Sequence, residues 1–302
     1  MDKELAENQI DLQDNAFLVA TEGSAREETV EQAAENETRT IFGDYIGELY
    51  VERYFSKEAK SDVTEMVRLF IMVEINKAKF VPLASKQGKP VERAGWDDTL
   101  PVFAVNAGYT PAINGIIFPA GIFQGLFYDD NAPKEKNLGA IGMIIAHEIS
   151  HAFDDNRAKY DENGNVRDWW TAEDYTKFQE LCQGVISLFD GKKFVPGLVG
   201  NGTHTLGENI ADMGGPSCAL AVAESMIPNV DYKLFFDSNA AMWQASRCSR
   251  ARMEYILSAD VHSPAVLRAN INFQNIDKFY EVYGIIEGDG MYLAPEKRIK
   301  IW

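Results

Sequence analysis

Ala146-His147-Glu148-Ile149-Ser150-His151-Ala152-Phe153-Asp154 places two imidazoles four residues apart, with a carboxylate beside the first. On a helix of 3.6 residues per turn, His147 and His151 lie about one turn apart and roughly 40° from each other, so both can reach one metal ion. Glu148 is displaced around the helix, which suits it to take a proton from metal-bound water rather than to bind the metal. The preceding Leu138-Gly139-Ala140-Ile141-Gly142-Met143-Ile144-Ile145 is apolar on nearly every face. A helix of that kind crosses a core and delivers polar groups to a buried cleft. The stretch is a zinc-hydrolysis site in outline. The bland alternative, a surface helix with two incidental histidines, leaves the apolar lead-in unexplained.

Composition bounds the rest. With 302 residues, 46% of them hydrophobic, the chain can bury a substantial core as one large domain or two smaller ones. Its 46 acidic against 29 basic residues give a formal charge of −17, which disfavours nucleic acid and anionic membrane surfaces as partners. No stretch approaches the ~18 consecutive apolar residues of a membrane span, and the first seven residues, Met1 to Glu7, lack the basic start and apolar run of a signal peptide. The expectation is a cytoplasmic protein. Cys182, Cys218 and Cys248 are odd in number and widely spaced, so they read as small buried thiols rather than a disulfide framework or a metal site.

In chain order, residues 1–40 are polar and acidic and read as a loosely ordered or peripheral helical arm. Residues 41–96 read as a helical pair and a linker: Ile41 to Phe55 carries apolar side chains at helical intervals, Ser61 caps a second helix through Val63, Met66, Val67, Phe70 and Ile71, and 84–98 is a loop. Residues 97–302 form the remaining domain. Val102 to Tyr109 reads as a strand, joined through the Asn114-Gly115 turn to a second at Ile116-Ile117-Phe118. An edge strand there would let an extended peptide add itself, with Asn106 and the main chain of Ala107 fixing its backbone; an ordinary turn is the local alternative for Asn106. Tyr160 to Asn165 is a polar turn, and Thr171 caps a helix with Tyr175, Phe178 and Leu181 inward.

A second carrier of chemistry is Leu206-Gly207-Glu208-Asn209-Ile210-Ala211-Asp212-Met213-Gly214-Gly215. Glu208 and Asp212 share one helix face. Glu208 can supply a third zinc ligand, leaving a fourth position open for water, while Asp212 can accept a hydrogen bond from the distal nitrogen of a ligating histidine. Asp154 could do the same for the other histidine. In isolation, the commoner reading of such a pair is two exposed acidic residues on a helix. One rival zinc-protease pattern needs Gly at 154 and His at 157, where this chain has Asp154 and Arg157. The gap from His151 to Glu208 is also far longer than in thermolysin-like enzymes and zinc aminopeptidases.

Five motifs occur together and in order: Asn106-Ala107-Gly108-Tyr109, Ile117-Phe118-Pro119-Ala120-Gly121-Ile122, His147 to Asp155, Gly207-Glu208-Asn209-Ile210-Ala211-Asp212, and Asp260-Val261-His262-Ser263-Pro264. In these the chain resembles the catalytic domain of the neprilysin and endothelin-converting enzyme family of zinc metallopeptidases, in particular its bacterial oligopeptidases, from about residue 97 to Trp302. The resemblance implies a mainly α fold with a small β-sheet, that of a thermolysin-like zincin. It implies one zinc ion per chain and cleavage of oligopeptides on the amino side of hydrophobic residues. Position by position it implies His147, His151 and Glu208 as ligands, Glu148 as general base, and Asp154 and Asp212 behind the ligands. It further implies His262 as donor to the oxyanion with Asp260 beside it, and Asn106, Ala107 and Arg268 as contacts to the substrate backbone. In the implied reaction Glu148 accepts a proton from zinc-bound water, which attacks the carbonyl, and then passes it to the leaving amine.

Family members are longer. Most of a second helical domain, which encloses the cavity, has no counterpart between the helix near Ser61 and the loop near Gly88. An apolar surface left uncovered there would favour self-association. The ending Ile299-Lys300-Ile301-Trp302 keeps a tryptophan found in animal members but not their cysteine, which fits a reducing compartment. The main functional alternative is a zinc-retaining peptide-binding module too poorly walled to catalyse; a docking protein that uses its acidic N-terminus is a further one.

Overall fold

The computed structural model describes residues 61–62, 64–66, 100–111, 113–161, 164–244 and 250–301. The expected arm 1–40, the first helix of the pair, and the loop at 84–98 lie outside the described residues. Of the second helix, 61–62 and 64–66 are helical, with Ser61 itself inside the helix and Met66 buried.

The apolar run is the central element. Helix α1 (Lys134–Asn137) continues through a π-helical stretch (Leu138–Gly142) into α2 (Met143–Ser150) and a final 3-10 turn (His151–Phe153). The wide turn has a physical cause. Ile141 N–H donates to the Phe127 carbonyl at 3.0 Å, and the Gly139 carbonyl accepts from Asn239 Nδ2 at 2.9 Å, so two groups of the helical ladder are drawn to outside partners. Leu138, Ile141, Met143 and Ile145 are fully buried, as expected of a helix apolar on every side.

Helix α3 (Ala172–Phe189) starts where Thr171 accepts the Asp174 N–H, as its sequence predicts. Phe178, Cys182, Val185 and Phe189 turn inward, but Tyr175 is 37% exposed, against expectation. It meets the Trp170 ring at the surface, with centroids 6.1 Å apart. Helix α4 (Leu206–Met226) lies between two cores. Ile210 and Met213 join the α3 residues with Leu267 and Ile271, while Ala219 and Val222 join α2 and the aromatic cluster of Phe235, Phe236, Phe273 and Phe279. A further side of α4 faces α2, and Gly215 lets the backbones close: a Cβ there would stand 2.9 Å from the Met143 carbonyl oxygen and 3.5 Å from His147 Cβ.

Helices α5 (Tyr232–Met242), α6 (Arg250–Ala259), α7 (Ala265–Phe273) and α8 (Asp277–Tyr283) complete the domain. Strands β1 (Gly108–Thr110) and β2 (Gly115–Ile117) pair antiparallel with Gly108 opposite Ile117, and β3 (Lys193–Val195) pairs with β4 (Leu198–Val199). The architecture is mainly α with small β-sheets. The expected strand over Val102 to Ala107 is not formed. The Val102 carbonyl accepts from Gly121 N–H and the Pro101 carbonyl from Ala104 N–H, so this segment makes a turn against 119–122, and the ladder begins at Gly108. Among the described residues no helix is long and apolar enough to cross a membrane.

Candidate metal and catalytic site

The close approach of α2 and α4 brings three donor atoms to one point. His147 Nε2 and His151 Nε2 lie 3.2 and 3.3 Å from Glu208 Oε2, and the two imidazole rings stand edge to face with centroids 4.6 Å apart. All three side chains are buried. Glu208 Oε2 is enclosed, with only imidazole nitrogens around it. A carboxylate oxygen in that state is costly unless a cation shares the space, and two imidazoles with one carboxylate are a zinc-type donor set. The residues fit a divalent metal ion.

Each histidine is held from behind. His147 Nδ1 approaches Asp212 Oδ1 at 2.8 Å, and His151 Nδ1 approaches Asp154 Oδ2 at 2.8 Å. Both aspartates are fully buried, and both are clamped by an arginine. Arg268 donates from Nε and Nη2 to the two oxygens of Asp212, each at 2.7 Å, and its guanidinium lies over the Trp243 ring at 4.0 Å. Arg157 donates to Asp154 from Nη1 at 2.5 Å and from its backbone N–H at 2.6 Å. A carboxylate placed in this way behind a ligating imidazole fixes ring orientation and tautomer at a metal site.

The charges follow this layout. Burial acts against ionised Asp212, but Arg268 and His147 outweigh it and hold its carboxyl down at about 2. Burial likewise opposes a charged His147, yet Asp212, Glu208 and Glu148 push its pKa up to about 10 in the metal-free chain. Glu208 is held below the usual carboxylate range, since its three histidine neighbours overcome desolvation.

Glu148 is buried beside this centre, its Oε1 4.0 Å from His147 Nε2. From the opposite side His262 Nε2 reaches Glu208 Oε2 at 3.1 Å, while its Nδ1 and backbone N–H meet Asp260 Oδ1 at 2.7 and 2.9 Å. Burial disfavours its charge, but Asp260 and Glu208 raise the pKa to about 9.

Asn106, Ala107, Arg268, Glu148 and His262 all line one cleft of about 420 Å³ together with the three ligand candidates. Asp154, Asp212 and Asp260 stand behind it. Asn106 Oδ1 accepts the Ala107 N–H at 2.9 Å, which fixes the turn that enters β1. Ile122, Phe127 and Ile144 give the cleft an apolar wall, and Tyr109, Arg157 and Trp243 also line it. The sequence marks none of these six as a site residue, although Tyr109 and Ile122 fall within the motifs quoted above. Arg157 sits one turn from Asp154, a spacing that does carry a signal for ion pairing. Trp243 has no local signal, because only the tertiary fold brings it under Arg268.

The model for peptidase family M13 matches residues 106–299. The neutral endopeptidase of Lactococcus lactis subsp. lactis is 45% identical over 217 residues, covering 72% of this chain and 34% of that protein. Among solved structures, PepO from Lactobacillus rhamnosis superposes with a TM-score of 0.73 at 32% identity, covering 86% of this chain and 50% of the other. A zinc metalloprotease of Mycobacterium tuberculosis in an open state gives 0.80 at 28% identity, covering 95% and 55%. The chain thus spans about a third of the length of the curated relatives it matches first. With the family model covering 106–299, which takes in the paired histidines, Glu208 and the His262 loop, the chain belongs to peptidase family M13.

Proposed function

We propose that the chain is a zinc-dependent endopeptidase that hydrolyses oligopeptides on the amino side of hydrophobic residues. The observation that carries this reading is the convergence of His147 Nε2, His151 Nε2 and Glu208 Oε2 beside the Glu148 carboxylate in one cleft. One zinc ion held by those three residues would supply a Lewis acid for the scissile carbonyl and for the attacking water.

The chain's own groups do the rest. Glu148 takes the proton of the attacking water and returns it to the leaving amine, as a general base and then acid. His262, its ring held by Asp260, donates to the oxyanion, an interaction typically worth about 3 kcal/mol. Arg268, held rigid by Asp212 and Trp243, and the exposed Asn106 beside β1 orient the substrate backbone. The wall of Ile122, Phe127 and Ile144 offers an apolar surface to a hydrophobic side chain. With these contacts, water is the nucleophile and peptides are the partners.

A library of unstructured peptides and one unfolded protein, incubated with and without a zinc chelator and read by mass spectrometry, tests this. Chelator-sensitive cuts before hydrophobic residues in both substrate types are expected. Bound zinc with every peptide intact would instead support the alternative, a metal-retaining module that binds peptides without cutting them. Peptides cut while the unfolded protein stays whole would mean that a further segment or partner walls the cleft.

A further inference from the structure

The loop that carries His262 is tied to the helix that carries Glu208 by three buried polar side chains. We propose that Thr205, Asn209 and Ser263 form a positioning latch that sets His262 against the metal-binding residues. This inference rests on the peptidase reading above.

Ser263 Oγ donates to Asn209 Oδ1 at 2.7 Å and lies 3.0 Å from Thr205 Oγ1, while Asn209 Nδ2 donates to Thr205 Oγ1 at 2.8 Å. Thr205 Oγ1 donates its own hydrogen bond to the Asn201 carbonyl at 2.9 Å. Ser263, Thr205 and Asn209 are 3%, 5% and 0% exposed, so the network is closed to solvent. Each latch residue is next to, or one turn from, a residue of the site: Ser263 follows His262, and Asn209 follows Glu208.

Two features mark the network as more than incidental. Thr205 occupies the N-cap position of α4, where a threonine normally accepts a backbone N–H of the first turn, yet its side chain makes no capping bond. Its hydroxyl is spent on Asn201 and Asn209 instead. Asn209 is a fully buried amide within a long helix, a place where an apolar residue would pack without hydrogen-bonding demands. Asp260 grips the His262 ring but belongs to the same loop, so it sets the ring within the loop and cannot register the loop against α4. The bond from Ser263 to Asn209 does that, beside the contacts of His262 with Glu208 and of Arg268 with Asp212. None of the three lines the cleft; they are positioning residues that act through His262.

The test uses the zinc-loaded full chain. Ser263→Ala and Thr205→Val remove a hydroxyl each, the latter with the shape of the side chain kept, and Thr205→Ser keeps the hydroxyl. We expect the two removals to lower kcat on a peptide substrate by roughly 10-fold or more, since small misplacement of a catalytic group is costly. KM and bound zinc should stay near wild type, and Thr205→Ser should retain wild-type kcat. A second readout needs no turnover: proton–nitrogen spectra of the four histidine rings should show His262 shifted in Ser263→Ala while His147 and His151 hold their places. Wild-type kcat with unmoved His262 resonances in both removals would overturn the latch. So would a loss of activity that tracks loss of zinc or of folding and is not spared by Thr205→Ser. If wild-type protein with zinc cuts no peptide, the peptidase reading fails by itself, and the ring spectra still decide the latch.

Discussion

Asp154 and Asp212 do the same job behind two histidines, but their surroundings differ, and that difference has measurable consequences. Removing either as alanine frees an imidazole from its orienting partner, which typically lowers metal affinity about 10- to 100-fold. Asp212→Ala also strands Arg268, whose side chain is 11% exposed, and an uncompensated charge buried that deeply costs about 3 to 5 kcal/mol of folding stability. Arg157, at 29%, can turn to water after Asp154→Ala. Chelator competition should therefore show both variants weakened, while thermal unfolding of the zinc-free proteins should show Asp212→Ala much the less stable. Equal melting would contradict the account of Arg268. His147 adds a pH dependence. Its folded pKa is raised from the ordinary 6.5 to about 10, so the charged ring contributes stability that is fully present below pH 6.5 and is lost as pH rises through 10. Zinc needs the neutral ring and must displace that proton. Zinc affinity measured by competition is thus expected to climb steadily with pH across that window; a flat profile would contradict a raised pKa at a ligating His147.

At the scale of elements, the helix pair α2 and α4 was largely legible before any coordinates. The four-residue spacings His147 to His151 and Glu208 to Asp212 put each pair on one face, and the apolar lead-in announced a buried helix. What could not be read was the joint geometry. Nothing in Leu138 to Gly142 signals a π-helical turn, because its cause lies in Phe127 and Asn239, both distant in sequence. The β-rich composition of Val102 to Ala107 misled for a similar reason: a strand needs a partner, and Gly121 offers its N–H to the Val102 carbonyl where a ladder would have to form. Trp243 reaches the cleft by tertiary contact alone. Gly139 shows how tightly α5 and the central helix are joined: a Cβ there would lie 2.2 Å from the Phe235 carbonyl oxygen. Gly to Ala in a helix is ordinarily worth about 1 kcal/mol of stabilisation. Here the clash, with overpacking typically costing about 1 to 3 kcal/mol, should win. Gly139→Ala is expected to melt several degrees below wild type, whereas an unchanged or raised Tm would mean that the helices pack more loosely than described.

At the scale of the molecule, the chain pairs a family M13 catalytic architecture with about a third of the length of the relatives it first matches. The described residues nevertheless hold the groups that the proposed chemistry calls on: three ligand candidates, the Glu148 carboxylate beside them, the His262 imidazole, and an arginine braced by an aspartate and a tryptophan. Two cores share α4, so the helix that carries Glu208 is anchored on both sides. The reading therefore predicts catalysis from this chain alone, and the role of Glu148 is where it can be tested with least ambiguity. The decisive measurement is turnover of a peptide substrate by Glu148→Gln, with bound zinc quantified in the same sample. The account predicts wild-type zinc content with nearly all turnover lost, while cleavage at the wild-type rate would contradict it.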